Sequence, residues 1–304
     1  MNIIYPKYLQ PGDTIGITCP AGYMAAEKAE TCIATLKQWG YKVKVGKTLG
    51  SKSTTYFSGT DAERTRELQS MMDDPKINAI LCGRGGYGFG RIIDSLDFTA
   101  FEKSPKWLIG FSDITIFHTH VFHKYGIASI HGPMAAAFND GGDAGQYIAS
   151  LKNTMEGKNI KVSINASSKN IPGEAEGILF GGNLTLLANV IGTESDFDTT
   201  GKIFFIEEIG EYLYSADRML HQLKRAGKFE APAAVIIGGF TDMKDTERPF
   251  GKSITSIITE AIGKVDYPVV YNFPVSHDAE NIALKIGGRY RLEAGKKKVV
   301  FTGL

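Results

Sequence analysis

The 304-residue sequence has few cysteines, almost no net charge and no long apolar run. Its three cysteines, Cys19, Cys32 and Cys82, are far apart and odd in number, which argues against a disulfide framework or a zinc site and is typical of a reducing cytosol. The net charge of +1 gives no basic footprint for nucleic acid. No stretch approaches the ~18 apolar residues of a membrane span, and the N-terminus lacks the pattern of a secretory signal. We therefore expect a cytoplasmic protein with no nucleic-acid or membrane partner.

Short apolar runs alternate with helical patterns through the first half of the chain. This alternation predicts a parallel β-sheet with helices on both faces. From about residue 150 the segments become polar and strand-like, with proline and glycine between them. We predict an α/β fold with a parallel-sheet domain over 1–150, a linker over 151–168 and a smaller β-rich domain, mixed in strand direction, over 169–304.

The segment "WLIGFSD" reads as a buried strand that stops at Ser112, and a helical pattern follows immediately. One interpretation makes Ser112 the N-cap of that helix, since serine is among the preferred N-cap residues. The other makes it a nucleophile, exposed on a tight strand-to-helix turn at the positive end of a helix dipole. The residues alone leave both interpretations of Ser112 open, and they favour its role as an N-cap.

A glycine-rich loop, "GRGGYG", follows the preceding predicted strand. Gly83, Gly85 and Gly88 fit the G-x-G-x-x-G pattern of dinucleotide sites, which makes a dinucleotide-binding oxidoreductase one alternative. However, the loop follows the third strand, and no acidic residue ends the next strand to bind a ribose. The backbone N–H groups of Gly85 and Gly86 could instead face an oxyanion formed on Ser112, or the loop could simply be a tight turn.

Several histidines are candidate bases or ligands. On a helix His118 and His120 point to opposite faces, and His120 with His123 alone is poor evidence for a metal site. His131 follows a short strand and is a weak rival base. His277 lies in a polar loop, "NFPVSHDAEN", where packing does not require a histidine.

Glu207 and Glu208 end the apolar run "KIFFIEEIGE". Neighbouring strand residues point to opposite faces, so we expect one carboxylate to face a cleft and the other to meet solvent. The alternation does not choose between them, because the residues before them are apolar on both faces. Cys82 lies inside an apolar strand, where a thiol is usually inert.

The motifs around these residues resemble the LD-carboxypeptidase family, which includes muramoyltetrapeptide carboxypeptidases and microcin C self-immunity proteins. The resemblance implies a serine peptidase with a Ser–His–Glu triad that needs no metal or cofactor. It also implies a Rossmann-like N-terminal domain, a smaller β-rich C-terminal domain, a site between them, and a homodimer. It is carried by collinear segments along nearly the whole chain: "GDTIGITCPAG", "YFSGTDAERTREL", "CGRGGYGFGRIID", "IGFSDIT", "HGPM", "GGNLTLL", "FFIEEIGEYLYSADRMLHQLKRAG" and "NFPVSHDAEN".

The resemblance assigns roles to individual residues. The turn departs from the G-x-S-x-G pattern of ordinary esterases because Ile114 replaces the second glycine, and Ser276 stands where glycine is expected before the histidine. The assigned residues are Ser112 as nucleophile, His277 as base, Glu207 as the triad acid, and the backbone N–H groups of Gly85, Gly86 and Asp113 as the oxyanion hole. Apart from these roles, Arg84 is a candidate substrate-binding residue because it lies in the glycine-rich loop, and Asn183 is a second candidate.

The function implied is hydrolysis of the amide between an L-centre and a C-terminal D-amino acid. The expected substrate is the cytoplasmic murein tetrapeptide, which would lose D-alanine during peptidoglycan recycling. A second possibility within the family is an amidase acting on a peptidyl or aminoacyl nucleotide. An aromatic residue that stacks on adenine would favour that role, and 139–175 contains Tyr147 but no tryptophan. A non-catalytic binding protein, in which Ser112 only caps its helix, is a further alternative.

Overall fold

The computed structural model describes residues 2–140 and 145–304. The chain divides into two compact units. The first extends to Lys158 and also takes in Ile282–Ile286. The second comprises Asn159–Asn281 and Gly287–Leu304.

The first unit is built on a six-stranded sheet. Its strands are β1 (Thr14–Thr18), β2 (Lys42–Val45), β3 (Ala79–Cys82), β4 (Trp107–Gly110), β5 (Ser129–His131) and β11 (Leu284–Ile286). The order across the sheet is β11-β5-β4-β3-β1-β2, with β1 to β5 parallel and β11 antiparallel to β5. The order 2-1-3-4-5 is that of a doubly wound α/β sheet, whose ligands bind beyond the carboxyl ends of the strands. The predicted parallel-sheet domain is confirmed.

The described residues of the first unit form five α-helices. The Thr60–Glu63 capping box starts the second, and Gly126, in the left-handed conformation, ends the fourth. The helices are α1 (Glu30–Gln38), α2 (Asp61–Asp73), α3 (Thr99–Lys103), α4 (Thr115–Tyr125) and α5 (Gln146–Met155). Both β3 and β4 are buried along their whole length, as expected of strands covered on two faces.

The second unit contains a seven-stranded mixed sheet with three helices. The strands are β6 (Lys161–Asn165), β7 (Gly173–Asn183), β8 (Lys202–Ile209), β9 (Ala234–Thr241), β10 (Val269–Val270), β12 (Arg289–Ala294) and β13 (Lys298–Gly303). Their order is β10-β9-β8-β7-β12-β13-β6. The helices are α6 (Leu184–Asn189), α7 (Leu213–Arg225) and α8 (Ile254–Ile262). Strands β7 to β10 run parallel, and the β6, β12 and β13 pairings are antiparallel, so this sheet is mixed in direction.

The structure departs from the predicted segment boundaries in two places. Much of the predicted linker, 151–168, is regular structure, because α5 continues to Met155 and β6 occupies Lys161–Asn165. The predicted second domain also loses β11, since the backbone of Leu284–Ile286 pairs with the edge of β5. Within the described ranges, no helix is long and apolar enough to cross a membrane.

Candidate active site

Ser112 occupies a strained turn at the carboxyl end of β4. Its φ is 62°, a left-handed conformation that serine rarely adopts. It begins a short 3-10 helix, Ser112–Ile114, which leads into α4. The N-caps of these two helices are Phe111 and Ile114, and in this described segment neither start receives a side-chain capping bond. The N-cap interpretation of Ser112 is therefore wrong, and the strained turn is the geometry that displays a nucleophile.

The glycine-rich loop packs directly against this turn. A Cβ placed on Gly85 would lie 3.0 Å from the Cβ of Ser112 and 3.3 Å from its Oγ. A side chain at this position would therefore require the serine turn to move by a few tenths of an ångström, and glycine avoids that movement. Gly86, at φ 96°, also has a conformation that favours glycine. The structure thus places Gly85, one of the predicted oxyanion residues, against the predicted nucleophile.

Asp113 contributes a buried carboxylate whose role the sequence did not indicate. Its side chain is 1% exposed, and Oδ2 accepts a hydrogen bond of 2.7 Å from the backbone N–H of Phe89. Burial raises the pKa of Asp113 to about 6, although the hydrogen bond from Phe89 and the charge of Arg64 act to lower it. The family resemblance assigned a role, in the oxyanion hole, only to the backbone N–H of Asp113 and none to its carboxylate.

In the second unit, Glu207 and His277 form a hydrogen-bonded pair. Glu207 Oε2 lies 2.7 Å from His277 Nδ1, the carboxylate is fully buried, and the imidazole side chain is 12% exposed. Because a carboxylate accepts, Nδ1 carries the proton and Nε2 is the basic atom. Burial lowers the pKa of His277, but the hydrogen bond and charge of Glu207, with the charges of Glu208 and Asp278, outweigh it, and the net pKa is raised.

Two glycines in β9 allow the histidine loop to approach Glu207. A Cβ on Gly238 would overlap the carbonyl oxygen of Val275, and one on Gly239 would overlap the Cβ of Ser276. The β8–β9 register also shifts opposite Glu207, which is a β-bulge, a feature that can re-aim a side chain. The sequence analysis did not identify Gly238 and Gly239 as functional residues. The two adjacent glycines in the apolar segment "IIGGF" were the feature that could have indicated a close approach.

Ser276 stabilises the loop that carries the histidine. Its hydroxyl donates to the carbonyl of Glu280 at 3.1 Å and accepts from the N–H of Asp278 at 3.0 Å. The serine that stands where the family pattern has glycine is therefore used to close the turn around His277.

Glu208 does not meet solvent, and that expectation is wrong. It is 2% exposed. Oε1 accepts from Asn183 Nδ2 and from the N–H of Ile209, both at 2.9 Å. Oε2 accepts from the N–H and hydroxyl of Thr185 at 2.8 and 2.7 Å. Burial raises the pKa of Glu208 despite these hydrogen bonds. The two neighbouring carboxylates face different partners, but both faces of β8 are buried at this point.

The two predicted substrate-binding residues have different surroundings. Asn183 is 2% exposed, its Nδ2 donates to Glu208, and its Oδ1 accepts from the N–H of Leu186 at the start of α6. This geometry supports a structural role for Asn183. Arg84 is exposed beside the glycine loop, with Nη1 donating to the carbonyl of Tyr23 at 3.0 Å. Its role in substrate binding stays a prediction.

The other candidates for the base or the nucleophile are buried. His131 is 0% exposed and packs 5.8 Å from the ring of Phe111, so it is not placed to meet a substrate. His118 is also buried, with Nε2 donating to the carbonyl of Gly110, and burial lowers its pKa to about 4. Burial raises the pKa of the Cys82 thiol well above its ordinary value, which keeps it un-ionised. Among the described residues, no three His, Cys, Asp or Glu side chains form a metal site.

Known proteins match the chain along most of its length. Residues 15–132 match the LD-carboxypeptidase N-terminal domain, and residues 176–292 match the C-terminal domain. The chain is 35% identical to the probable murein peptide carboxypeptidase of Bacillus subtilis, over 97% of this chain and 93% of that protein. The chain belongs to the LD-carboxypeptidase family.

Two further relatives differ in their described activities. The crystal structure of muramoyltetrapeptide carboxypeptidase from Oxalobacter formigenes matches with a TM-score of 0.85 and 30% identity, covering 95% of this chain and 98% of that one. The microcin C7 self-immunity protein MccF of Escherichia coli is 26% identical, over 97% of this chain and 94% of that protein. Family membership confirms the two-domain α/β fold and a serine-type carboxypeptidase activity.

Proposed function

We propose that this family member removes D-alanine from the C-terminus of murein tetrapeptide, using Ser112, His277 and Glu207 as its triad. The observation that carries the proposal is the 2.7 Å hydrogen bond between the buried Glu207 carboxylate and His277. It gives the imidazole the tautomer that a serine peptidase needs. The positive φ of Ser112, held against Gly85, supports its assignment as the nucleophile.

In the proposed mechanism, His277 Nε2 takes the proton of Ser112 Oγ as the oxygen attacks the carbonyl carbon of the terminal amide. Backbone N–H groups of Gly85, Gly86 and Asp113 donate to the oxyanion of the tetrahedral intermediate. The imidazolium, stabilised by Glu207, then protonates the departing nitrogen of D-alanine. Water, deprotonated by His277, attacks the acyl-enzyme and releases the shortened peptide.

The substrate follows from the relatives with the higher identities. The Bacillus and Oxalobacter proteins, at 35% and 30% identity, are described as acting on murein peptide or muramoyltetrapeptide. The microcin immunity relative, at 26%, supports the second candidate, an amidase acting on an aminoacyl or peptidyl nucleotide.

The decisive experiment compares three compounds with the same enzyme preparation. We expect mass spectrometry to show loss of one alanine from a tetrapeptide ending in D-alanine, and no loss from the matched peptide ending in L-alanine. Ser112→Ala should remove the activity. Cleavage of an aminoacyl sulfamoyl adenosine with no loss of D-alanine would favour the nucleotide amidase instead.

Arg84 is our proposed partner for the terminal carboxylate of the peptide. Its guanidinium is exposed beside the glycine loop and can bind a carboxylate in a bidentate manner. Arg84→Met should then raise KM more than it lowers kcat.

The remaining proposals concern the whole protein. We propose a cytoplasmic homodimer, on the basis of the family resemblance, and a protein that does not bind nucleic acid, on the basis of its net charge of +1. Light scattering of the purified protein and fractionation of cells test the first two. A gel-shift assay at low salt, where electrostatic binding is strongest, tests the third.

A further inference from the structure

Two buried charged side chains hold one peptide group at the end of the glycine-rich loop. Asp113 Oδ2 accepts from the N–H of Phe89 at 2.7 Å, and Arg64 Nη1 donates to the carbonyl of Gly88 at 2.9 Å. The Gly88–Phe89 peptide is thus bound on both edges. Neither side chain belongs to the loop, since Arg64 lies on α2 and Asp113 follows Ser112.

Arg64 is itself fixed in place. It is 0% exposed, and its guanidinium also donates to the carbonyls of Pro20 and Gly59 and to the carboxylate of Asp61. The ring of Phe57 packs against it, 5.0 Å from the guanidinium carbon. A donor held by this many partners defines where the Gly88 carbonyl must lie.

The conformation of Gly88 fits this arrangement. Its φ is 135°, and a Cβ there would lie 3.0 Å from the ring of Phe57 and 3.1 Å from Arg64 Nη1. The loop can therefore reach the arginine only with glycine at this position.

Asp113 connects this peptide to the nucleophile. The residue before it, Ser112, has a φ of 62°, and such strain persists only when the surrounding structure holds the backbone in place. The Asp113–Phe89 hydrogen bond joins the strained turn to the loop that contains Gly85 and Gly86. Within the described chain, Asp113 Oδ1 is buried with no hydrogen-bond partner, so Oδ2 makes this connection.

We propose that Asp113 is a positioning residue, whose carboxylate holds the Ser112 turn and the glycine-rich loop in the relative placement that transition-state stabilisation requires. Arg64 fixes the opposite edge of the same peptide. The inference rests on the proposed function, in which Ser112 attacks and this loop supplies oxyanion donors. It adds a side-chain role to Asp113, whose backbone N–H alone was assigned.

Asp113→Ala and Asp113→Asn test the inference. Alanine removes the acceptor, whereas asparagine can still accept from the Phe89 N–H through its carbonyl oxygen. We expect Asp113→Ala to lower kcat about 100-fold, the scale of a 1 Å misplacement, with KM within about twofold of wild type. Asp113→Asn should stay within about fivefold of wild type. Asp94→Ala, a change of an exposed aspartate in the same unit, is the control and should leave kcat unchanged.

Labelling of Ser112 by a fluorophosphonate separates positioning from loss of folded enzyme. In this reaction the P–O bond forms as the P–F bond breaks, and the phosphoryl oxygen needs the same donors as the oxyanion. Positioning predicts a slower labelling rate with full labelling amplitude for Asp113→Ala. If that variant does not fold, Arg64→Lys, which retains the charge but loses the fork of donors, should show the same pattern.

Two results would overturn the inference. One is a wild-type labelling rate in folded Asp113→Ala or, if that variant does not fold, in Arg64→Lys. The other is an Asp113→Asn defect as large as that of alanine, which would indicate charge instead of hydrogen bonding. Retained activity or labelling in Ser112→Ala would instead contradict the proposed function, so the two failures are distinguishable.

Discussion

Ser112 shows how the backbone conformation of one residue separates two roles that its sequence position allows. A capping serine has an extended backbone and accepts a hydrogen bond from the helix. Ser112 has a φ of 62°, and the helix starts beside it are not capped by a side chain in the described segment. Its hydroxyl is therefore not committed to stabilising α4.

Ser112→Ala should consequently abolish turnover without a large loss of stability. We expect activity to fall roughly 10⁶-fold, as for other triad nucleophiles, and the free energy of unfolding to change by less than about 0.5 kcal/mol. Ser112→Gly should be more stable than Ser112→Ala by about 1 kcal/mol, because glycine adopts positive φ without strain. Urea unfolding of both variants checks this. If Ser112→Ala lowered the free energy of unfolding by about 1 kcal/mol, the result would support the N-cap interpretation of Ser112.

Glu208 is expected to matter for stability. All four of its hydrogen bonds require it to accept, so Glu208→Gln would turn an amide NH₂ toward two donors. We expect the free energy of unfolding to fall by about 1–3 kcal/mol. Thermal and urea unfolding measure it, with the exposed Glu247→Gln as control. A variant as stable as wild type would mean that α6 does not depend on this carboxylate.

The pH dependence should report His277. The base must be neutral, so kcat/KM should rise with pH through one ionisation of the free enzyme. Because the pKa of His277 is raised, the midpoint should lie above the ordinary value of about 6.5. Glu207→Gln should lower kcat by roughly 10³–10⁴ and move the midpoint down, since the raising charge is gone. An unchanged midpoint in that variant would remove Glu207 from the triad.

At the scale of elements, β9 is shaped to let another segment approach. Gly238 and Gly239 face the loop around Val275 and Ser276, and a bulge lies opposite Glu207. A strand of β-branched residues alone would exclude this loop, and His277 would not reach its carboxylate.

Gly239→Ala should therefore impair catalysis by displacing the loop. Its Cβ would overlap that of Ser276, and we expect kcat to fall about 100-fold. Gly192→Ala is the matched control, because its φ of 82° makes alanine strained but nothing lies within 4 Å of the new Cβ. The control should lose about 1 kcal/mol of stability with its kcat preserved. If both variants keep their activity, the close approach is not required for the Glu207–His277 pair.

At the scale of the whole molecule, local patterns predicted the parallel sheet, and pairings distant in sequence explain the errors. Strands β1 to β5 alternate with helices, so their order and direction follow from short-range rules. Strand β11 has three residues, and its place depends on hydrogen bonds to β5. Glu207 and Glu208 do face different partners, as strand alternation requires. The burial of Glu208 could not be inferred, because it depends on Thr185 at the start of helix α6, which donates to its carboxylate.

The return of β11 to the first unit predicts how a truncated protein behaves. A fragment covering 1–158 would leave β5 as an unpaired edge, which is a template for association with other chains. We expect this fragment to sediment as species larger than a dimer under conditions where the full chain does not. A monodisperse fragment with cooperative unfolding would show that the edge does not need its antiparallel partner.

His118 gives the molecule a built-in spectroscopic reference. Its Nε2–H donates to the Gly110 carbonyl, two residues before Ser112, and its Nδ1 accepts from the Ser129 hydroxyl. With a pKa of about 4, this ring stays neutral throughout the range in which His277 titrates. In a nitrogen-15 NMR spectrum, the His118 resonances would therefore not change with pH over this range, whereas those of His277 would. The resonance of His118 would move when the turn carrying the serine changes, and that of His277 when its proton is lost.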